Sequence, residues 1–395
     1  MYRLMHDKLT FHRRINLRGY HYDHIILMAT LALIGIGLAA IYSSSAVMAM
    51  NKYGNPYYFL RNQLMWVAIG LLGMFIGMRL NYTKLKGTTV FLLILSLILL
   101  ILVLIPGIGS EINGARRWLR AWSFSFQPIE IAKLSLIIYI AYYIERKEDV
   151  IRDFKYGFLP AIVVLTIFQI LIMRQPDIGS AFVIGLCIIV LLFIAGARIT
   201  HILTLALISL PYIYKILSST GYRKKRIIAF LDPWNDSTGA GFQMVQSFLA
   251  LGSGGLFGVG IGEGKQKLFY LPEPHTDFIF SLIGEELGFV GGITVILLFS
   301  LIIWRGLKIA LGASDVFGMY LALGITIMIG GQALMNLGVV TGLLPTKGIT
   351  LPFVSAGGSS LVVSMTAIGI LLSVRRVALQ KIQRFSCDQK GTAQW

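Results

Sequence analysis

Long uncharged runs of apolar residues alternate with short polar connections along most of this chain. A helix needs about 20 apolar residues to cross a hydrocarbon core of roughly 30 Å. Two runs carry interruptions: 127–144 is apolar after Lys133, and 199–217 contains only His201 and Lys215. Together with the charge-free runs, the pattern predicts ten transmembrane helices; those runs are 25–51, 62–78, 87–110, 156–173, 178–197, 287–304, 316–346 and 348–374.

The composition supports this interpretation, because 56% of the 395 residues are hydrophobic and 13% are charged. These values exclude a soluble enzyme and a fibrous protein, and solid apolar runs exclude an outer-membrane barrel, whose strands would alternate. We predict an all-α, polytopic membrane protein with ten transmembrane helices in residues 23–376. A large extracytoplasmic loop, 218–276, is predicted between helices 7 and 8, and two cytoplasmic tails at 1–22 and 377–395.

The net charge of +17 orients the helices rather than indicating nucleic acid, because the basic residues are dispersed between the apolar runs. With ten helices both termini share one side, and that side holds 20 of the 35 Lys and Arg residues. Seven of the other 15 lie in the region 215–276, which is too long to count in the positive-inside rule. Both termini are therefore predicted to be cytoplasmic.

Polar chemistry concentrates on the predicted outer side, in segments 106–126 and 218–276. Within the longer segment, Met244–Leu251 is predicted to form a short interfacial helix with Gln243, Gln246 and Ser247 on its polar side. Nine glycines lie between Gly239 and Gly264, in a spacing that fits neither a dinucleotide nor a Walker motif. We expect them to allow tight turns and close approach of the backbone to a bound group.

Several carboxylates lie where a helix is expected to meet the membrane surface. Glu273, His275 and Asp277 precede the eighth helix, and Glu285 and Glu286 follow about 12 Å deeper if the helix starts near Asp277. Ionisable groups at membrane depth mark a site or a partner. Simpler roles remain open, since Asp277 or its neighbour Thr276 could cap the helix and the two glutamates could pair with basic groups.

Other polar residues support a charged cavity at the same side. Arg116 and Arg117 interleave with tryptophans, while Lys133 has a partner in Glu130 one turn earlier on its helix. With Lys347, these cations suit a phosphate or pyrophosphate on a lipid, although attraction to anionic headgroups explains some of them. Asp177, after Pro176, favours a helix cap over a catalyst. His275 is the only histidine of the outer side, which excludes a multi-histidine metal site there.

The sequence resembles the SEDS family of shape, elongation, division and sporulation polymerases over roughly residues 20–376, and is more similar to its division branch. Two positions depart from the family pattern, Ala356 and Asn235. The motifs that carry the resemblance are Asn113-Gly-Ala-Arg-Arg-Trp118, Gln127-Pro-Ile-Glu-Ile-Ala-Lys133, Arg174-Gln-Pro-Asp-Ile-Gly179, Leu271-Pro-Glu-Pro-His-Thr-Asp-Phe278, Gly284-Glu-Glu-Leu-Gly288 and Leu344-Pro-Thr-Lys-Gly-Ile-Thr-Leu-Pro-Phe-Val-Ser-Ala-Gly-Gly-Ser-Ser360.

The resemblance implies a peptidoglycan glycosyltransferase of the bacterial cytoplasmic membrane at the division septum. Such an enzyme extends undecaprenyl-linked glycan from lipid II and works with a class B penicillin-binding protein and other division proteins. The family's essential outer-loop aspartate corresponds to Asp277. Positions tied to activity in the family correspond to Glu273, Arg116, Lys133, Pro345 and Lys347.

In this interpretation a carboxylate takes the proton of the GlcNAc 4-hydroxyl, and positive charge stabilises the departing pyrophosphate. Asp277 would act as general base, with inversion at the anomeric carbon. No soluble cofactor is needed; a divalent cation such as Mg²⁺ or Mn²⁺, held by Asp277 and Glu273, is an alternative source of charge. Two other classes stay open: a lipid II flippase and a non-catalytic division scaffold.

Overall fold

The computed structural model describes residues 23–112, 115–121, 124–218, 229–239, 241–264 and 275–392, with side chains described for all but 112, 121, 124, 212–218 and 384–392. Helices dominate these residues. They are α1 His24–Tyr53, α2 Tyr58–Arg79, α3 Leu85–Leu102, α4 Pro128–Arg146, α5 Leu159–Arg174, α6 Ile178–Ile194, α7 Ile199–Ser218, α8 Phe242–Ser253, α9 Ile279–Glu286, α10 Gly288–Leu311, α11 Val316–Val340 and α12 Gly358–Thr392.

Seven of the described helical segments are long and apolar enough to cross a membrane, and two shorter apolar helices, Ile178–Ile194 and Ile199–Pro211, accompany them. The seven contain α1, α2, α3, α5, α10, α11 and α12. Helix α4 also matches a predicted run, and its 19 residues are largely buried among the other helices. The prediction of a polytopic helical protein is therefore confirmed.

The prediction of an all-α chain is wrong in the segment 106–126, which forms an antiparallel sheet of three strands in the order β1-β2-β3. The strands are β1 Gly109–Ile112, β2 Ala115–Ala121 and β3 Phe124–Phe126. Ile112 pairs with Ala115, so two residues join β1 to β2. Those residues are Asn113 and Gly114, the dipeptide most typical of a two-residue hairpin, and they lie outside the described residues.

Helices α2 and α12 approach closely because glycines face the contact on both sides. A Cβ added at Gly77 would lie 2.9 Å from the carbonyl oxygen of Thr366, and one at Gly369 would lie 2.3 Å from the carbonyl oxygen of Met74. Small residues of this kind let two membrane helices pack backbone against backbone. This packing fixes the position of α12, whose first residues lie beside the candidate site.

The helix expected to start near Asp277 and continue through the eighth predicted run is interrupted at Leu287, so α9 and α10 are separate helices, and Glu285 and Glu286 both lie on α9 before the break. Gly288 has a φ of 66°, a left-handed conformation that glycine tolerates and that ends α9. The backbone of the glycine-rich segment 254–264 closes over this break, with Val259 N donating to Glu285 O at 3.0 Å and Gly260 N donating to Glu286 O at 3.1 Å. The glycines thus allow the segment 254–264 to approach the backbone of Glu285 and Glu286 closely, rather than a bound group.

Helix α8 confirms the predicted short helix, but Ser247 does not lie on a polar outer face. Its side chain is fully buried and its hydroxyl contacts Ser281 Oγ at 2.8 Å and donates to Val340 O at 2.7 Å. The apolar residues Met244 and Val245 are buried with it. These contacts show that α8 packs against α9 and the end of α11. The hydroxyl of Ser247 can be buried there because its hydrogen-bond partners lie inside the same contact.

A non-helical segment, 341–357, connects α11 to α12, where the two predicted apolar runs were separated only by Lys347. The run 316–346 ends its helix at Val340, and the run 348–374 begins its helix at Gly358. Much of this connection is buried, including Ile349, Leu351 and Val354. A buried non-helical backbone needs partners for its polar groups, and these partners form the candidate site.

Replacing Gly369 by Leu should lower the apparent Tm of the purified protein in detergent, because the new side chain meets backbone atoms of α2 that cannot move aside. Overpacking of this kind costs about 1–3 kcal/mol. The control is Gly35→Leu, since nothing lies within 4 Å of a Cβ at Gly35. Equal Tm values for the two variants would contradict the close packing of α2 and α12.

Candidate functional site

Asp277 lies in the short described stretch 275–278 that leads into α9. Helix α9 begins at Ile279 with Phe278 in the N-cap position, so Asp277 is not the cap residue of this helix. Its carboxylate lies against the segment 341–357, since a Cβ added at Gly348 would be 3.1 Å from Asp277 Oδ2. Asp277 therefore lies next to the backbone that carries Lys347.

Hydrogen bonds hold the backbone of residues 275–277 against this segment. Ser355 Oγ donates to Thr276 O at 2.6 Å, and Ala356 N donates to His275 O at 2.9 Å. The amide of Asn336 on α11 donates to both Asp277 O at 2.7 Å and Ile349 O at 2.6 Å. Three backbone carbonyls around Asp277 are thus fixed by groups from α11 and the connection before α12.

His275, at the start of this stretch, packs against α2. Its imidazole is buried and packs on the ring of Phe59, with the two ring centroids 4.8 Å apart, and its Nδ1 atom has no hydrogen-bond partner. Burial lowers the pKa of His275 to about 4, because the charged form would lose its hydration. The side chain is therefore neutral at neutral pH and brings no positive charge to the site.

A buried ion pair on α4 is hydrogen-bonded to α11. Lys133 Nζ lies 2.8 Å from Glu130 Oε2, and both side chains are almost completely buried. Lys133 Nζ also donates to Gln332 Oε1 at 3.0 Å, and Gln332 Nε2 donates to Thr350 O at 3.0 Å. The pairing of Lys133 with Glu130 expected from their spacing is present, and it extends through Gln332 to the segment that faces Asp277.

A polar cavity of about 40 Å³ connects these groups. Gly348, which faces the Asp277 carboxylate, is part of its wall together with the Lys133–Glu130 pair and Asp177. The lining residues are Gln127, Glu130, Lys133, Asp177, Ser180, Val183, Gln332, Gly348, Ile349 and Thr350.

Asp177 acts as a helix cap. Its carboxylate accepts hydrogen bonds from Ser180 N at 3.1 Å and Ser180 Oγ at 2.9 Å, at the first turn of α6. Arg117 is also occupied locally, since its guanidinium donates to Gln175 O at 2.8 Å and Pro176 O at 2.6 Å. Arg117 thereby ties the sheet to the turn before α6, which gives it a structural role.

The remaining predicted cations are more accessible. Arg116 forms a partly exposed ion pair with Glu111, at 3.1 Å between Nε and Oε2. Lys347 is half-buried, its ammonium group lies 5.3 Å from the ring centroid of Phe182, and burial lowers its pKa. Lys347 directly precedes Gly348, the residue that lies next to the Asp277 carboxylate. Among the predicted cations, Lys347 is therefore the closest in sequence to Gly348.

Two predicted carboxylates lie elsewhere in the bundle. Glu285 and Glu286 are buried on α9, and Glu286 Oε1 accepts a hydrogen bond from Ser43 Oγ of α1 at 2.5 Å. Neither lines the polar cavity. Pro345 belongs to the connection before α12, and Glu273 lies outside the described residues.

Four residues of the site were not singled out from the sequence: Gln332, Asn336, Gly348 and Ser355. A signal for two of them was present, because Gln332 and Asn336 are amides one helical turn apart inside the apolar run 316–346. Polar side chains at membrane depth face a protein partner or a cavity. Their signal is weaker than that of an ionisable group, because amides carry no charge.

A bundle of apolar helices has a polar cavity lined by a buried ion pair, and the Asp277 carboxylate lies next to Gly348 of the cavity wall. These features define a multi-pass membrane protein whose candidate site lies at helix ends. A sequence model of the family described as cell cycle protein, covering FtsW, RodA and SpoVE, matches residues 24–380. The chain belongs to this family, which confirms the resemblance to the SEDS proteins.

Relatives and solved structures agree with this assignment. The chain is 47% identical to the probable peptidoglycan glycosyltransferase FtsW of Geobacter sp. strain M18, over 89% of this chain and 96% of the relative. It is also 47% identical to stage V sporulation protein E of Bacillus subtilis strain 168, over 90% and 97%. The similarity thus includes both the division and the sporulation branches.

Two solved structures share the fold. One comes from work on the structural coordination of polymerization and crosslinking by a peptidoglycan synthase complex, with a TM-score of 0.75, 31% identity and coverage of 91% of this chain and 99% of that one. The other is the rod shape determining protein RodA of Thermus thermophilus, with a TM-score of 0.66, 30% identity and coverage of 90% and 97%.

Replacing Lys133 by Met should strongly lower the apparent Tm, because Glu130 would remain buried without its cation. Breaking such a pair costs roughly 3–5 kcal/mol. The double variant Lys133→Met/Glu130→Leu should recover part of the loss, since no buried charge remains. Glu111→Gln serves as control, because its pair with Arg116 is partly exposed and its loss costs at most about 1 kcal/mol. A wild-type Tm for Lys133→Met would refute the buried pair.

Stability should fall as the pH decreases from 6.5 toward 4, because the unfolded chain then binds a proton at His275 that the folded chain does not. The folded pKa lies below the unfolded value, so the stabilisation is complete above pH 6.5 and is lost on acidification. The total effect is up to roughly 3 kcal/mol. Thermal unfolding of wild type and His275→Gln across this range measures it. Identical pH dependence in the two proteins would rule out a buried neutral His275.

Proposed function

We propose that this chain is a peptidoglycan glycosyltransferase that polymerises lipid II into glycan strands during cell division. The lipid-linked chain is transferred to the GlcNAc 4-hydroxyl with inversion, and undecaprenyl pyrophosphate is released. The names of the relatives support this activity. The observation that carries the assignment is the contact between the Asp277 carboxylate and Gly348, at the wall of a polar cavity in a membrane bundle.

Asp277 is the general base of the proposed reaction. As the 4-hydroxyl oxygen attacks the anomeric carbon of the donor MurNAc, its proton passes to the Asp277 carboxylate. The bond from that carbon to the pyrophosphate oxygen breaks with its electron pair remaining on the leaving group. A carboxylate can act in this way only when it is held in position, and the hydrogen bonds to the carbonyls of 275–277 provide that support.

The leaving group needs positive charge, and the exposure and partners of the candidate cations support a division of roles among them. Lys347 and Arg116 are partly accessible, so we assign them to the pyrophosphate. Arg117 donates to backbone carbonyls and Lys133 is neutralised by Glu130. We therefore infer that Lys133 positions the site through Gln332 and Thr350, and that Arg117 fixes the sheet beside it.

A divalent cation such as Mg²⁺ or Mn²⁺ remains part of the proposal. Among the described residues, no group of three or more His, Cys, Asp or Glu side chains is arranged to hold a metal. Mg²⁺ keeps several waters and often uses one or two carboxylates together with substrate phosphates. Asp277, with Glu273, fits this smaller requirement, and a bound cation would offset charge on the pyrophosphate.

The proposed topology places this chemistry at the outer face of the cytoplasmic membrane. It has ten transmembrane helices, both termini in the cytoplasm and the loop 218–276 outside, in agreement with the distribution of Lys and Arg. We propose the division septum as its location. The partner is a class B penicillin-binding protein, as the similarity to a chain of a peptidoglycan synthase complex supports.

Purified protein supplied with lipid II should form glycan strands, and Asp277→Ala and Asp277→Asn should lower the initial rate by about 10²-fold or more, because general-base catalysis contributes on this scale. The control is Asp232→Asn, an exposed carboxylate of the same predicted outer loop, which should keep the wild-type rate. The assay is run with and without the penicillin-binding partner.

The same experiment separates the alternatives. Full activity in folded Asp277→Ala would overturn the catalytic assignment, and lipid II scrambling in liposomes that survives this substitution would favour a flippase. Absence of both activities in wild type with its partner would favour a scaffold. Chelation by EDTA, followed by return of Mg²⁺ or Mn²⁺, should restore the rate if a cation takes part; an unchanged rate after chelation would remove the cation from the proposal.

A further inference from the structure

A cluster of aromatic side chains covers the connection between α1 and α2. Helix α1 ends at Tyr53, where Gly54 adopts a left-handed conformation, and α2 begins at Tyr58. Two pairs of rings are stacked in this cluster: Tyr53 on Tyr58, with centroids 4.1 Å apart, and Tyr42 on Tyr57, with centroids 5.5 Å apart. We call these four residues the tyrosine platform.

The platform is open to its surroundings although its rings stack on each other. Exposed fractions are 37% for Tyr42, 45% for Tyr53, 51% for Tyr57 and 39% for Tyr58. Burial of ring faces is the usual outcome for aromatic side chains, since each can remove a large apolar area from water. Four neighbouring tyrosines with this much exposed area form a surface that a flat, partly apolar ligand can cover.

The platform is continuous with the candidate site. Tyr58 packs edge-on against Phe59 with centroids 5.3 Å apart, and Phe59 packs against His275 with centroids 4.8 Å apart. His275 lies two residues before Asp277, and the carbonyl oxygen of His275 accepts a hydrogen bond from Ala356 N. An unbroken series of ring contacts therefore leads from the Tyr53–Tyr58 pair to the backbone that holds the Asp277 carboxylate, and Tyr57 of the second pair directly precedes Tyr58.

From this geometry we propose that the tyrosine platform binds sugar rings of the glycan strand as it leaves the site. A pyranose ring has an apolar face of C–H groups and an edge of hydroxyls. The face packs on a tyrosine ring, while the hydroxyls meet the phenol groups and the exposed side chains of Asn51 and Lys52. This inference rests on the proposed function, because it requires a glycan product.

The cluster differs from a simple interfacial belt in its arrangement. Tyrosines that only anchor a helix at the membrane surface need no mutual stacking and no link to a catalytic stretch. Here each stacked pair has a member in or next to the connection 54–57, and Phe59, the second residue of α2, contacts His275. A bound strand on the platform would be retained between additions, so the platform is expected to lengthen the product rather than accelerate each transfer.

The test measures glycan length and lipid II consumption in one reaction with the full-length protein and its partner. Tyr53→Leu and Tyr58→Leu should shorten the mean strand on the order of threefold, as expected for loss of one aromatic contact, while the initial rate of lipid II consumption changes less than twofold. Tyr58→Phe should keep the wild-type length, because it retains the ring. Tyr156→Leu is the matched control, an exposed tyrosine in the short segment 154–158 before α5.

The outcomes separate this inference from the proposed function. Wild-type strand lengths in folded Tyr53→Leu and Tyr58→Leu, with polymerisation intact, would overturn the platform and leave the glycosyltransferase assignment standing. An equal fall in Tm and in consumption without shorter strands would mean that the tyrosines only anchor the helices, and would also overturn it. Failure of the wild type to consume lipid II would overturn both proposals.

Discussion

Lys133 and Glu130 face each other in the interior of a membrane bundle, where water cannot compensate an unpaired charge. Their contact determines what can surround them. The ammonium group also donates to Gln332, and the amide of Gln332 reaches Thr350 in the non-helical connection before α12. A buried backbone without helical hydrogen bonds depends on such partners. The pair on α4 thereby helps to fix the segment against which Asp277 lies.

The site that results combines rigid support with partial access. Asn336 and Ser355 bond the backbone beside Asp277, while Gly348 leaves space next to its carboxylate. Neutral His275 packs on Phe59 next to this stretch and adds no charge to the site. In the proposed reaction, the groups that position the carboxylate are distinct from the accessible cations, Lys347 and Arg116, which we assign to the pyrophosphate. It accounts for a transferase that needs its lipid-linked substrates to approach from the membrane.

The helices could be predicted from the sequence because a solid apolar run has few alternatives in a membrane chain. The sheet at 106–126 is not predicted, although Asn113-Gly114 is a hairpin signal, because its strands are too short to stand out from a loop. The break at Leu287 and the long connection after Val340 could not be predicted, since apolar runs report composition and not backbone path. The cap role of Asp177 and the partner of Lys133 followed from local spacing, whereas Asn336 and Ser355 act across distances that no sequence pattern reveals.

The contact between Asp277 and Gly348 is the central element of this account, and Gly348→Ala tests it most directly. The added Cβ would lie 3.1 Å from Asp277 Oδ2, and displacing the carboxylate should lower the rate of lipid II polymerisation about tenfold or more in a protein that folds normally. Gly331→Ala, where nothing lies within 4 Å of the added atom, should keep the wild-type rate. Wild-type activity in Gly348→Ala would contradict the placement of Asp277 in the site.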